Sequence, residues 1–159
     1  MGSAASQTVT KYNNRTSSDE IIKDFGACAL GKHAIVTGSN CGLGFQTAKS
    51  LVECGAIVTL ACRSRKAGEE AVAAIKSEFP AADVSLILLD LGNFASIRNF
   101  VAQYKASGKP LNMLINNAAV MSCPKSFTSD GLEMQFGVNH IGHFLLTTEW
   151  AFASMICKV

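Results

Sequence analysis

The chain has 159 residues, of which 48% are hydrophobic and 16% charged, and carries a formal net charge of +2 at neutral pH. That length fits one domain with a core of its own, and the apolar content excludes a disordered chain. With charge so nearly balanced and no basic block, there is no electrostatic footprint for nucleic acid. The cysteines, Cys28, Cys41, Cys54, Cys62, Cys123 and Cys157, form no C-x-x-C pair and follow no secretory leader. Free thiols in a reducing, intracellular and most simply cytoplasmic setting are therefore expected.

In chain order, residues 1–20 are polar and lack an apolar period, which predicts a flexible tail ahead of one folded unit, 21–159. Within that tail, Gly2 and Ser6 fit a myristoylation pattern, the one feature that would bring this chain to a membrane. A single acyl chain binds membranes only marginally. "HAIVT" (33–37) reads as a buried strand, "GLGFQTAKSLVEC" (42–54) as a helix stopped by Gly55, and "AIVTLAC" (56–62) as a second strand. A helix over 66–79 ends before Pro80, and "DVSLILLD" (83–90) is a third strand. Asn93 is placed to cap the next helix, in which Phe94, Ile97, Phe100, Val101 and Tyr104 share one face. "LNMLINNA" (111–118) is a fourth strand, 120–130 is irregular, and a last helix covers about 130–157. Its apolar stretch is interrupted by His143 and Glu149 and is short for a bilayer span, so it reads as a buried or interface helix. Apolar strands alternating with helices predict an α/β fold, a doubly wound parallel sheet covered on both faces.

The chemistry is concentrated in "TGSNCGLG" (37–44), between a strand and a helix. A helix N-terminus offers free N–H groups and positive potential, and glycine lets the backbone approach a diphosphate closely. The spacing is T-G-x-x-x-G-x-G. Together with "LACR" (60–63), "LDL" (89–91), "INNAA" (115–119) and "VNHIGHF" (138–144), it makes the chain from about Gly31 to Gly142 resemble the short-chain dehydrogenase/reductase family. "ACR" and "NHIGHF" are similar to the retinol dehydrogenase and WW-domain oxidoreductase branch.

The resemblance implies a Rossmann-type sheet, of which these residues would be the N-terminal portion with about four strands. It places Gly38, Ser39, Asn40, Gly42, Leu43 and Gly44 around a dinucleotide diphosphate, and Asp90 and Leu91 at the adenine. Asn116 and Ala118 would lie along the nicotinamide-side ribose, with Asn116 also steadying the sheet centre. An NAD site carries a carboxylate at the end of the second strand. Here Ala61-Cys62-Arg63 stands instead, and a guanidinium suits a 2′-phosphate, so the expected cofactor is NADP(H).

Hydride transfer to a carbonyl needs a proton donor beside the oxygen. The family meets that need with a Tyr-x-x-x-Lys pair, a serine and an asparagine, and of these Asn139 alone has a counterpart here. The tyrosines are Tyr12 and Tyr104, and four residues beyond them stand Thr16 and Gly108. The expectation is a truncated NADP(H)-dependent oxidoreductase, inactive by itself. Its complete form would act on a carbonyl or alcohol, with retinoids, steroids or other lipophilic compounds implied by the branch. The alternative is a non-catalytic dinucleotide-binding or dimer-interfering isoform, since the resemblance puts the last helix in a homo- or heterodimer interface. His140 and His143 are three apart but have no evident third ligand, so no metal is expected.

Overall fold

The computed structural model describes residues 12, 13 and 15–156, with side chains through 150; the myristoylation pattern at Gly2 and Ser6 lies outside them. Helix α1 spans Ser18–Phe25 and begins inside the stretch expected to be tail. A capping box accounts for the early start. The Ser17 hydroxyl accepts from the Glu20 amide, and the Glu20 carboxylate accepts from the Ser17 amide.

A 3₁₀ turn, Gly26–Ala29, leads to β1 (His33–Thr37), α2 (Gly42–Glu53), β2 (Ile57–Cys62), α3 (Arg65–Glu78), β3 (Val84–Leu88) and α4 (Phe94–Ala106). Then come β4 (Met113–Ile115), the short α5 (Met134–Phe136), a π-helical turn over Gly137–Gly142 and α6 (His143–Ile156). The fourth strand is shorter than its apolar run, because only Met113–Ile115 pair with Ala34–Val36. The last helix starts at Met134 rather than about 130. Its entry is fixed by the Glu133 carboxylate, which accepts from the Gln135 and Phe136 amides and is held below its ordinary pKa by those bonds.

All strands are parallel in the order β3-β2-β1-β4, with Thr37 opposite Ala61 and Cys62 opposite Leu88. Side chains alternate across the sheet. Ala34, Val36, Val58 and Leu60 pack with Ala48, Val52, Ala71 and Ile75 of α2 and α3. Ile35 and Ala61 face the other way, onto Ile97, Phe100 and Tyr104 of α4 and Leu146 of α6. This is the doubly wound α/β arrangement the strand–helix alternation predicts. Its geometry brings the ends of β1, β2 and β3, and the turn after β4, to one rim, where ligands bind in open parallel sheets.

Candidate functional site

At that rim the cap residues divide the helices into two kinds. Ser64 accepts from the Ala67 amide at 3.3 Å to cap α3, and Asn93 accepts from the Ser96 amide at 3.0 Å to cap α4. Helix α2 has Cys41 at its N-cap and no side-chain acceptor. Its first-turn N–H groups are left for something else, as an anion site requires.

Before α2 the chain turns through Gly38 (φ +63°), where a Cβ would stand 2.8 Å from the Cα of Ala118. A side chain at Gly44 would come within 2.4 Å of both the Gly38 carbonyl oxygen and the Asn117 amide nitrogen. The two glycines thus let the loop lie directly on the turn after β4.

An open cavity of about 140 Å³ occupies the rim. Gly38, Asn40, Arg63, Asp90, Leu91 and Ala118 line it, along with the neighbouring Thr37, Ala61, Cys62 and Val138. Six of the residues expected at a dinucleotide are thereby brought together. The others, Ser39, Gly42, Leu43, Gly44 and Asn116, do not line it, and Leu91 and Asp90 have further roles. The fully buried Ser39 hydroxyl accepts from the Ala61 amide at 3.2 Å, tying the ends of β1 and β2. Leu43 is 82% exposed and lines an apolar groove beside α1, away from the cavity. Gly42 and Gly44 shape the start of α2 without lining the cavity. Leu91 reaches it only at the edge of its packing in the core. Asp90 spends part of its carboxylate on the Gly92 amide, at 2.9 Å, which folds the turn after β3.

The role of sheet-centre brace belongs to Asn117, not Asn116. The Asn117 side-chain amide donates to the Thr37 carbonyl at 2.8 Å and reaches the Gly38 carbonyl at 3.4 Å. Asn116 instead donates to the Thr147 hydroxyl on α6, at 3.1 Å. Both residues follow β4 in the turn, where the Asn117 side chain reaches back to β1 and the Asn116 side chain reaches α6. Asn139 lies in the π-helical turn, and its side chain both accepts from the Val120 amide and donates to the Val120 carbonyl, each at 2.8 Å. It fixes the loop after β4.

Two residues to which sequence reasoning gave no individual role at the rim complete the site. The Thr37 hydroxyl accepts from the Asn117 and Ala118 amides, each at 2.9 Å, and lies 2.9 Å from Nε2 of His143. A polar residue ending an otherwise apolar strand was the available signal for Thr37. His143 is buried, which holds its pKa below the ordinary histidine value against the opposing effect of its bond to the Asn139 carbonyl. His140 points elsewhere, its ring against Phe136. Among the described residues no group of three or more His, Cys, Asp or Glu side chains could hold a metal ion.

Tyr104 is in the core. Its hydroxyl donates to the Pro110 carbonyl at 3.0 Å, its ring meets Trp150 edge-on, and burial raises its pKa. Burial first, then the nearby Cys41, raises the Cys62 thiol. No described helix is long and apolar enough to cross a membrane.

A family model described as short chain dehydrogenase matches residues 32–158. The chain belongs to the short-chain dehydrogenase family. Human WW domain-containing oxidoreductase is 44% identical over 139 residues, covering 87% of this chain and 33% of the relative. Retinol dehydrogenase 11 of Mus musculus is 52% identical over 117 residues, covering 74% of this chain and 37% of the relative. The chain therefore spans about a third of the length of these curated relatives. Among solved structures, an uncharacterized protein of Mycobacterium paratuberculosis is 37% identical with a TM-score of 0.66, over 77% of this chain and 44% of that one. A doubly substituted short-chain dehydrogenase/reductase of Serratia marcescens is 27% identical with a TM-score of 0.65, over 77% and 51%. These relatives carry the fold beyond a generic glycine loop: the sheet is the N-terminal Rossmann-type portion of a short-chain dehydrogenase, and the family's ligand is a nicotinamide dinucleotide.

Proposed function

We propose that these residues form the NADP(H)-holding portion of an oxidoreductase that moves hydride between the nicotinamide and a carbonyl or alcohol. The observation that carries the reading is the uncapped start of α2, at the rim where Arg63 and Asn40 line the cavity and no carboxylate follows β2. The donor set fits the cofactor. First-turn amides of α2 suit the diphosphate, Asp90 the adenine, and the Arg63 guanidinium the 2′-phosphate. Gly38 and Ala118 bring nothing longer than a methyl into the cavity. NADP(H) supplies or accepts the hydride; this chain binds and orients it.

The proton must come from elsewhere. No tyrosine in the 159 residues has a lysine four positions on, and Tyr104 is engaged with Pro110. Turnover therefore requires a Tyr-x-x-x-Lys pair from outside this sequence, and the relatives' names point to lipophilic alcohols such as retinol as the substrate class. A second reading, a non-catalytic module that binds the dinucleotide and competes for a partner, rests on the same rim geometry. We place the protein inside the cell, on the strength of its thiols: Cys28, Cys41, Cys54, Cys62 and Cys123 are all unpaired.

Isothermal titration of the purified chain with NADPH tests the shared core of both readings. Saturable one-to-one binding is expected, and its absence in a folded sample would contradict them.

A further inference from the structure

The Thr37 hydroxyl makes four contacts with a single proton to give. Its two acceptor positions are taken by the Asn117 and Ala118 amides at 2.9 Å. The proton then goes to the nearer of two acceptors, Nε2 of His143 at 2.9 Å rather than the Ile115 carbonyl at 3.4 Å. An imidazole accepting at Nε2 carries its proton on Nδ1, which lies 3.1 Å from the Asn139 carbonyl. The His143 backbone amide donates to the His140 carbonyl, at the end of the π-helical turn. Every donor and acceptor in the chain from Asn139 to Ala118 is thereby assigned.

We infer that His143 is a positioning residue: its neutral, Nδ1-protonated ring orders the Thr37 hydroxyl and so locks the turn after β4 against the glycine loop, making dinucleotide binding proton-sensitive. The inference rests on the dinucleotide reading above for its effect on binding, and on the hydrogen-bond geometry alone for the lock. Protonation at Nε2 would aim a third donor at an oxygen whose acceptor positions are both occupied. The ring must then move, or Asn117 and Ala118 must lose their acceptor. Ala118 lines the cavity and abuts Gly38, so the consequence falls on the ligand.

Among the described residues no charged group competes for control of this ring. β1 presents Thr37, the turn after β4 presents Asn117 and Ala118, and the π-helical turn presents the Asn139 carbonyl. On α4 and α6, Arg98 pairs with the Glu149 carboxylate, while Lys105 bonds the Glu149 carbonyl and lies over Trp150. His140 stacks on Phe136, and burial and the Asn139 carbonyl are the influences on the His143 proton. Because the folded state disfavours the charged ring, the stabilisation is fully present above the unfolded value of about 6.5 and is lost as pH falls below it.

The test is nitrogen-15 NMR of the His143 ring, with hydrogen-exchange protection factors for the Asn117 and Ala118 amides between about pH 8 and pH 5. The expected results are an Nδ1–H tautomer and protection that falls by up to about tenfold per pH unit once the ring titrates. His143→Gln keeps an acceptor for the Thr37 hydroxyl but cannot titrate, so its protection factors should be flat. NADPH affinity of the unsubstituted chain should fall with the same midpoint. An Nε2–H tautomer, or the same pH dependence in His143→Gln, would overturn the inference. If NADPH binds at no pH, the dinucleotide reading fails, and the tautomer and protection factors still decide whether the lock exists.

Discussion

At the C-terminal end of β1, Thr37 and Ser39 are fully buried and polar, and each accepts from backbone amides at or just after a neighbouring strand end. On the outer side of β4 the situation is reversed. Met113, Leu114 and Ile115 are half-buried, and among the described residues β4 pairs only with β1. Beside it runs an apolar groove of about 520 Å³ between α1 and α2, with Phe25 and Leu43 exposed at its wall. The first region is closed by its own contacts, and the second is held on one flank only. Order in this fold therefore centres on the rim where β1, β2 and β4 end, which is where the dinucleotide is proposed to sit.

The sharpest way to break this contrast is to fill the contact between the glycine loop and the turn after β4. Gly44→Val puts a branched side chain where even a Cβ lies 2.4 Å from backbone and from Asn117. A loss of about 3 kcal/mol or more in denaturant unfolding is expected. Thr37→Val keeps the shape but leaves two amides without their acceptor, for an expected loss of roughly 3 kcal/mol; Thr37→Ser should recover most of it. Ser64→Ala removes the cap of α3 and should cost about 1 kcal/mol, read by the same unfolding curves. On the other flank, Leu43→Ser should change stability by no more than about 0.5 kcal/mol, because that side chain is already in solvent. A large loss there would mean the groove side matters to the fold as much as the rim does.

Much of this was legible in the sequence. Apolar strands at 33–37 and 56–62 and the helical face of Ile97, Phe100, Val101 and Tyr104 follow from periodicity, because one side of each element must be buried. The loop from Gly38 to Gly44 and the arginine after β2 marked the rim by position. Direction and partner choice were not legible. Whether Asn116 or Asn117 braces β1 depends on how the chain turns after β4. That Ser39 serves the sheet depends on the depth at which β1 ends, and that Leu43 faces the groove depends on the rotation of α2 about its axis. His143 was visible only as a polar interruption of an apolar helix and as half of a histidine pair with no third ligand. Its partner Thr37 lies 106 residues away and meets it only through the fold.

The most direct measurement is the ratio of NADPH to NADH affinity in the unsubstituted chain and in Arg63→Ala. Charge-assisted bonds from a guanidinium to the 2′-phosphate should favour NADPH by about tenfold or more, and the substitution should remove most of that preference while leaving NADH affinity close to its starting value. Equal affinity for the two nucleotides, or a preference that survives Arg63→Ala, would contradict the assignment of the rim as an NADP(H) site built on Arg63.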